Sequence, residues 1–368
     1  MSVPRTDVLV IGGGVIGVAV ADAVAAQGTP IVLLERAQVA SAASAGAAGL
    51  LAPLVEAEGP GPFLELALAG RALFRDVAAA LLRDTGIDVG YRETGTLRVA
   101  EDEHVAQELR ERVAWERERG LDVRWLTTRE VASLEPSLRD GLSGALFSAD
   151  DHQVTSAALT HALARRASAR GAIIVEGLGV ERLLRVGERV VGVRTSRGEE
   201  YRAKHVVLAA GPWSSSLVPR VPVRPVKGQL VHLWSAKPVV GHPIFASEVY
   251  LVSKADGRIV VGATEEEVGF DWAPREEATR SLLDRAFQLV PALRDAEIGD
   301  AWAGLRPGTP DRLPIIGTRR DSQGLIFATG HFRNGVLLSL ITARIVAALA
   351  ATEPSPVDIA AFSPERFG

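Results

Sequence analysis

Short apolar runs alternate with a helical pattern at the beginning of this chain of 368 residues. Asp7–Ile11 and Ile31–Glu35 are apolar runs of strand length. Between them, Val15–Gln27 has helical apolar spacing and is followed by Gly28, which predicts a helix that ends there. Strand, helix and strand in this order are typical of the unit that starts a parallel sheet. We therefore expect an α/β fold that binds its ligand at the carboxyl ends of these strands.

Similar patterns continue along the chain. Helical spacing predicts further helices at Phe63–Thr85, Glu103–Gly120, Thr155–Arg170, Ala278–Leu289 and Val336–Ala351. The last of these helices follows an apolar strand. Apolar runs that lead into glycine or a turn predict further strands at Gly95–Ala100, Ala172–Glu176, His205–Ala209 and Leu325–Thr329. Parallel-sheet character therefore returns in the middle of the chain and near its end.

A second type of sheet is predicted between these parts. Gln229–Trp234, Val249–Lys254 and Arg258–Ala263 read as antiparallel strands, and Ala255–Gly257 is a strong hairpin signal between the last two. We expect a discontinuous cofactor domain and an antiparallel-sheet substrate domain interleaved with it. The expected cofactor domain is 1–85, 146–218 and 299–368, and the expected substrate domain is 86–145 and 219–298.

Composition excludes several classes of function. Apolar residues make up 47% and charged residues 23%, which is typical of an ordinary globular protein, and the net charge of −4 offers no basic field for nucleic acid. Met1–Thr6 leads directly into a strand without signal-peptide features, and the apolar run Val336–Ala351 is interrupted by Arg344. We expect a cytoplasmic protein with no membrane partner. Cysteine is absent and the seven histidines are scattered, so no metal site is expected.

The first strand runs into Gly12-Gly13-Gly14-Val15-Ile16-Gly17. In such a turn Gly12 permits the tight bend, Gly14 lets the backbone approach phosphate, and Gly17 lets helix and strand pack closely. Glu35 ends the next strand, where a carboxylate accepts hydrogen bonds from ribose hydroxyls. This order of elements indicates dinucleotide binding, and the alternative is a glycine-rich turn with an exposed glutamate.

Two further segments let a flat ring or a phosphate lie against the backbone. Ser41–Leu51 consists of small residues until its end, and Ala209–Trp213 is a second strand that exits into a glycine, Gly211. The alternatives are a packed helix contact for the first segment and an ordinary turn between strand and helix for the second.

The segment Gly330–Gly335 opens the last apolar helix. A second glycine-bounded turn so far along the chain favours a flavin, whose large ring both ends of the chain would hold, over a nicotinamide. The helix N-terminus can stabilise the anion that forms when a flavin is reduced. His331 in this turn is either a flavin contact or a packing residue.

Three side chains are candidates for substrate binding. Arg306 precedes a proline and so lies in extended backbone, and its guanidinium suits the bidentate anchoring of a carboxylate. The alternative for Arg306, and equally for Arg333 in the last turn, is a structural ion pair. Tyr250 shares a strand face with Val252, and its hydroxyl could reach into a pocket. The pattern alone favours cross-strand packing for this tyrosine.

Together these residues resemble the D-amino-acid-oxidase-like FAD family, and within it the glycine oxidases associated with thiamine biosynthesis. The resemblance covers nearly the whole chain and is most specific in six stretches: Val10–Gly17, Ser44–Leu51, Lys227–Gly228, Val260–Thr264, Ala301–Thr309 and Gly330–Leu338. It implies a Rossmann-like FAD domain of the glutathione-reductase type with an interleaved α+β substrate domain. It also implies a homo-oligomer.

The resemblance also assigns roles to residues. Arg306 would grip the substrate carboxylate, Tyr250 would assist it, and Arg333 would be a second residue on the substrate side. Without cysteine, FAD is expected to be bound non-covalently. With the glycines of the two turns, the expected cofactor-binding residues are Gly12, Gly14, Val15, Ile16, Gly17, Glu35, Arg36, Ala43, Ser44, Ala48, Gly49, Leu50, Val180, Gly211, His331, Phe332, Arg333, Asn334, Gly335, Val336 and Leu337.

The expected activity is oxidation of a small amino acid: glycine, a D-amino acid or N-methylglycine. The amine would be oxidised to an imine, which water hydrolyses to a 2-oxo acid and ammonia (or an amine), while oxygen is converted to hydrogen peroxide. Four alternatives remain at this point. They are a dehydrogenase that uses a quinone or another acceptor, a 2-hydroxy acid oxidase, a non-catalytic flavin-binding protein and a nicotinamide dehydrogenase.

Overall fold

The structure is a computed structural model that describes residues 6–235 and 237–368. The expectation that Met1–Thr6 is not a signal peptide therefore concerns residues that, for positions 1–5, lie outside the described part of the chain. The strands in chain order are β1 (Val8–Ile11), β2 (Ile31–Leu34), β3 (Leu50–Leu51), β4 (Thr96–Ala100), β5 (Val123–Leu126), β6 (Gly144–Ser148), β7 (His152–Gln153), β8 (Ile173–Val175), β9 (Val180–Val186), β10 (Arg189–Thr195), β11 (Glu200–Arg202), β12 (His205–Leu208), β13 (Arg224–Trp234), β14 (Ile244–Phe245), β15 (Tyr250–Ser253), β16 (Arg258–Gly262), β17 (Glu297–Gly308), β18 (Ile315–Thr318) and β19 (Leu325–Thr329).

The helices pack on these strands or connect them. In chain order they are α1 (Val15–Ala25), α2 (Ala43–Gly46), α3 (Pro53–Glu56), α4 (Pro62–Ala72), α5 (Phe74–Thr85), α6 (Glu103–Glu118), α7 (Thr128–Leu134), α8 (Ser156–Ala169), α9 (Ser214–Leu217), α10 (Glu276–Leu289) and α11 (Gly335–Ala350).

A six-stranded sheet in the order β18-β19-β12-β1-β2-β8 forms the first layer. Its strands are parallel except for the antiparallel pair β18–β19. Val8 and Val10 pack with α1 and α11 on one face, while Leu9 and Ile11 pack against the small sheet β11-β10-β9 on the other. Because both faces are covered, the strand is apolar at every position. The predicted α/β fold is confirmed.

The second layer is an eight-stranded sheet in the order β17-β13-β16-β15-β14-β4-β6-β5. It is antiparallel except where β14 runs parallel to β4, and α10 packs on it over a separate apolar core. The predicted hairpin is present as β15–β16, with Tyr250 opposite Gly262. The two sheets have their own cores, as expected for a cofactor domain and a substrate domain.

Some elements differ from the expectation. The single helix predicted at Phe63–Thr85 is two helices, α4 and α5, which are separated at Leu73. The sheet β9–β11 and most of β17 were not predicted, because their many charged residues hide the strand pattern.

Two expected domain borders fall inside strands. The border at 145/146 divides β6, and the border at 298/299 divides β17, although both strands belong wholly to the eight-stranded sheet. Strand β17 pairs with β13 from Gly308 back to Glu297, so hydrogen bonding assigns it to the second layer. We correct these two borders to positions after 148 and after 308. The remaining division stays a prediction.

The segment Phe332–Ala350 is long and apolar enough to cross a membrane by length and composition. In this structure 78% of the most apolar 18-residue stretch of this segment is buried inside the protein, where α11 packs against α1 and α4. A core helix accounts for its apolar character.

Candidate active site

A cavity of about 780 Å³ lies between the carboxyl ends of the parallel strands and the second sheet. Its size falls within the usual range for ligand sites, about 300–1,000 Å³. Most of the residues predicted to bind the cofactor line it: Gly12, Gly14, Val15, Ile16, Glu35, Arg36, Ala43, Ser44, Ala48, Gly49, Leu50, Val180, Gly211, His331, Phe332, Arg333, Asn334, Gly335 and Val336. Arg306 and Tyr250 line it as well.

The first glycine-rich turn forms one end of this cavity. Gly12 has a φ of +110°, and a side chain there would collide with the backbone of Ala209. Gly17 does not line the cavity. It packs on the carbonyl of Gly12, which fits the predicted helix–strand packing, and its assignment as a cofactor contact stays a prediction. Helix α1 begins at Val15, whose N–H donates to the Ser44 hydroxyl, and Gly14 has no side chain to cover the rest of the first turn, which can therefore face an anion.

The carboxylate of Glu35 stands beside this turn. One of its oxygens accepts a hydrogen bond from the backbone N–H of Gly13 at 2.6 Å, and the other accepts from Ala37 at 2.8 Å. A carboxylate oxygen has a further lone pair for a ribose hydroxyl. The geometry is compatible with the predicted ribose contact.

The small-residue segment wraps the middle of the cavity. The Ser44 hydroxyl accepts from the N–H of Val15 at 2.9 Å, and Ser156 donates to the Ser44 carbonyl at 2.6 Å. Gly49, with a φ of +77°, lies so close to the carbonyl of Val154 that a side chain there would collide with it. The segment is thus a cavity wall that is fixed to both α1 and α8.

Lys254 also holds this wall, and sequence reasoning did not identify it. Its ammonium donates to the carbonyls of Ala48 and Val154 and to the side-chain oxygen of Gln153, at 2.5, 3.0 and 3.2 Å. Burial lowers the pKa of Lys254 to about 7. The only sequence signal was a lysine at the end of the predicted hairpin strand. Its acceptors could not be predicted because they are distant in sequence.

An aromatic stack forms the far end of the cavity. The guanidinium of Arg36 lies over the ring of Trp213, 3.5 Å from its centroid, and Trp213 stacks on Phe270 with centroids 5.5 Å apart. Val180 and Gly211 line the cavity beside this stack. The sequence predicted a role for Arg36, but none for the two aromatic rings.

The second glycine-bounded turn closes the cavity from the other end of the chain. Buried His331 is hydrogen-bonded through Nε2 to the Thr342 hydroxyl at 3.0 Å, and burial lowers its pKa to about 3. It is therefore neutral at physiological pH. Leu337 does not line the cavity. One position beyond Val336, its side chain packs into the first core, and its assignment as a cofactor contact stays a prediction.

Arg306 points into the cavity from β17. Its Nη1 donates to the carbonyl of Thr264 at 2.9 Å, and it forms no ion pair with a carboxylate in the described part of the chain. Burial lowers its pKa, but arginine stays cationic in proteins. On the paired strand, Gly228 leaves the space that the guanidinium occupies, since an added side chain there would overlap it. A buried, unpaired cation is a strong anchor for a substrate carboxylate.

Tyr250 lies at the same end of the cavity. A side chain at Gly262, its partner across the hairpin, would come within 2.6 Å of the Tyr250 hydroxyl. Burial raises the pKa of Tyr250 to about 12, so its phenol is protonated and can donate a hydrogen bond. The ring also packs on Phe245, with centroids 5.8 Å apart. Packing and a cavity-facing hydroxyl are therefore both present.

Arg333, the third candidate, is paired with a residue that the sequence did not indicate. Its Nε lies 2.9 Å from a carboxylate oxygen of Glu56, and both residues line the cavity. Leu50 lines the same wall, whereas Leu51 is fully buried in the first core.

These features fit FAD. Glycines leave space along the backbone, an open helix N-terminus faces the place for a pyrophosphate, and Glu35 is positioned for a ribose. In residues 6–235 and 237–368 no cluster of three or more potential metal ligands is found. The fold and the site define a dinucleotide-dependent oxidoreductase with a substrate pocket beside the cofactor.

Comparisons with known proteins identify the family. A family model described as "FAD dependent oxidoreductase" (DAO) matches residues 7–349. The chain is 36% identical to the glycine oxidase of Geobacillus kaustophilus, over 98% of this chain and 97% of that protein. A crystal structure of glycine oxidase from Geobacillus kaustophilus superposes with a TM-score of 0.94, covering 98% of both chains at 36% identity. The chain belongs to the DAO family of FAD-dependent oxidoreductases, and the predicted resemblance is confirmed.

Other relatives widen the comparison. The glycine oxidase of Bacillus subtilis is 30% identical over 93% of this chain and 92% of that protein. The bifunctional protein ThiO/ThiG of Synechocystis is 37% identical over 98% of this chain, which spans 54% of that relative's length. The chain therefore corresponds to about half of the bifunctional protein.

Proposed function

We propose that the protein is an FAD-dependent oxidase of glycine and other small amino acids, including D-alanine and N-methylglycine. The observation that carries this proposal is the unpaired guanidinium of Arg306, which faces an FAD-sized cavity together with the Tyr250 hydroxyl. Relatives named glycine oxidase, at 30–36% identity over nearly the full chain, support the same activity.

Arg306 would bind the substrate carboxylate, and Tyr250 would donate a hydrogen bond to the same group. Two such contacts fix the orientation of the substrate, so that its Cα–H points towards the flavin ring. FAD, when bound, accepts two electrons from the substrate carbon and passes them on to an acceptor. Buried His331, with a pKa of about 3, is too weak a base to take a proton from an ammonium group, and Tyr250, with a pKa of about 12, keeps its own proton, so we propose that the amine enters deprotonated.

The overall reaction would join amino acid, water and oxygen to give a 2-oxo acid, hydrogen peroxide and ammonia, or methylamine where the substrate is N-methylglycine. Anaerobic mixing of the purified yellow protein with glycine, N-methylglycine and D-alanine tests the reductive half. Loss of the yellow colour of the oxidised flavin is expected with at least one of them. Persistent colour with all three would refute the proposal.

The same assay separates the alternatives. Release of peroxide in air indicates an oxidase, whereas turnover only with an artificial acceptor indicates a dehydrogenase. Release of ammonia excludes a 2-hydroxy acid as the substrate. A similarity to ThiO/ThiG supports a role in thiamine biosynthesis, which growth of a deletion strain with and without thiamine would test.

We also propose a non-covalent FAD, a homo-oligomeric assembly and a cytoplasmic location. The absence of cysteine removes the thiol that a cysteine-linked flavin requires. Acid precipitation that releases the yellow colour into the supernatant would show non-covalent FAD. Light scattering on the purified holoenzyme gives the assembly state, and a single-chain mass would exclude the oligomer.

A further inference from the structure

The Glu56–Arg333 ion pair lines the substrate end of the cavity. The side chain of Glu56 is 17% exposed and that of Arg333 is 47% exposed, so the pair lies where the cavity meets solvent. Burial lowers the pKa of Arg306, and Tyr250, Arg333, Glu265 and Glu56 act on it electrostatically, in that order of size. Arg306, Arg333 and Glu56 therefore lie within electrostatic reach of one another.

Glu56 is held in place from behind. It is the last residue of the short helix α3. Arg112 donates hydrogen bonds to the carbonyl of Leu54 within this helix and to the carbonyl of Ala57 just after it. Arg112 is itself fixed on α6 by an ion pair of 2.7 Å with the fully buried Glu116. Because the backbone of α3 is clamped, the Glu56 side chain enters the cavity from a fixed position.

The net charge of the side chains at this end of the cavity suits a substrate with one carboxylate. Arg306 and Arg333 contribute two positive charges and Glu56 one negative charge, which leaves a single positive charge for the substrate. The remaining carboxylates here, Glu265 and Glu248, are paired with Arg312 and Arg285, which do not line the cavity. A second carboxylate on a substrate would have to share Arg333 with Glu56, and like charges so close repel each other strongly.

We infer that Glu56 is a specificity-determining residue: by occupying Arg333 it restricts the site to amines with one carboxylate and excludes dicarboxylates. The inference builds on the proposed function, since the excluded compounds are diacid analogues of its substrates. Specificity here comes from a repulsive group as much as from an attractive one.

Binding of non-oxidisable acids tests this without turnover, and thus independently of whether glycine is oxidised. Acetate, malonate and succinate are titrated into the FAD-loaded enzyme, and the dissociation constants are read from the change in the flavin spectrum. In the wild type, acetate should bind more tightly than either diacid. In Glu56→Gln the affinity for the better diacid relative to acetate should rise at least tenfold.

Matched variants separate the effect of the Glu56–Arg333 pair from a general change in the charge of the cavity. Glu265→Gln removes the same charge from the same cavity but frees an arginine outside it, so the ratio of diacid to acetate affinity should change less than threefold. Adding Arg333→Gln to Glu56→Gln should abolish the gain. Arg333→Gln alone, with no net positive charge, should weaken acetate binding at least tenfold. If Glu56→Gln does not fold, the preference of the wild type for acetate over both diacids still tests the inference.

Three results would overturn the inference. These are a Glu56→Gln enzyme with the wild-type ratio, a Glu265→Gln enzyme with the same gain, or an Arg333→Gln enzyme that binds acetate like the wild type. If glycine fails to reduce the flavin but the acid-binding pattern holds, the proposed function fails while the role of Glu56 stands.

Discussion

Glycines on neighbouring strands give Arg306 and Tyr250 their places at the cavity. The guanidinium of Arg306 fills space that an alanine at Gly228 would occupy, and the Tyr250 hydroxyl fills space opposite Gly262. The sequence shows these glycines only as interruptions of strand patterns. Their meaning depends on which strands pair and in which register, and that is a tertiary property. Arg306 itself could be nominated because an arginine before proline in extended backbone suits a carboxylate.

Replacing Arg306 by alanine is expected to lower kcat/KM for glycine roughly 100-fold, equivalent to about 3 kcal/mol for a charge-assisted contact. The residue lies buried and without a carboxylate partner, so its loss removes substrate binding more than it removes a structural contact. Steady-state kinetics would measure the change. Arg280→Ala, which breaks an exposed ion pair with Glu276 on α10, is the matched control and should stay within about twofold. An Arg306→Ala enzyme within threefold of the wild type would contradict this role.

At the scale of elements, the hairpin β15–β16 connects the substrate side to the cofactor side. Tyr250 begins β15 and lines the cavity, while Lys254 just beyond its end donates to three oxygens on the opposite wall. An ammonium has three N–H donors, so the site satisfies all of them. The hairpin thereby fixes the segment Ala48–Leu50 that lines the cavity.

Replacing Lys254 by methionine is expected to weaken FAD binding about tenfold, which corresponds to about 1.4 kcal/mol. The segment Ala48–Leu50 would lose the donor that holds it against the cavity, leaving carbonyls without a partner. Fluorescence titration of the apoprotein with FAD measures the affinity. Lys204→Met is the control, because Lys204 is an exposed partner of Asp7 and lies away from the cavity. Equal FAD affinities in the two variants would show that Lys254 does not position this segment.

Strands and helices that are strongly buried were easier to predict from the sequence than those that are partly exposed. Strands β1 and β2 are covered on both faces and were read correctly as apolar runs, as was α1 with its flanking glycines. Strand β17 lies at the edge of its sheet and is largely half-buried, so its polar residues concealed it. A pattern of burial can be read from the sequence only where burial is strong.

At the scale of the whole molecule, the cavity depends on residues from both ends of the chain. Helices α1 and α11, which begin at the two glycine-bounded turns, pack against each other in the first core. The pairing of Arg333 with Glu56, which are 277 residues apart, follows from this arrangement. The two turns were predictable because each carries a local signal. The ion pair was not, because nothing in either segment specifies its partner.

The burial of His331 has a consequence for the stability of the entire fold. Its pKa is about 3 in the folded protein, because burial lowers it, against an ordinary value of 6.5. As pH falls below 6.5, His331 becomes protonated in the unfolded chain but stays neutral in the folded protein. The free energy of unfolding therefore decreases. From pH 7 to pH 5 this contribution should be about 2 kcal/mol.

Urea unfolding of the wild type and of His331→Gln at both pH values measures this contribution. Glutamine can keep a hydrogen bond to Thr342 but does not titrate. Relative to the wild type, the variant should therefore be less sensitive to acid by about 2 kcal/mol. Parallel pH dependences of the two proteins would show that His331 does not titrate in this way.

The central claim is that FAD lies in the cavity with Arg306 facing its ring to hold a carboxylate. A crystal structure of the holoenzyme soaked with acetate tests it most directly. The account predicts that the flavin ring lies between the turn Gly330–Gly335 and the second sheet. It also predicts that the carboxylate of acetate is within hydrogen-bonding distance, about 2.7–3.2 Å, of the guanidinium of Arg306. Acetate bound elsewhere, or Arg306 paired with a carboxylate of the protein, would contradict it.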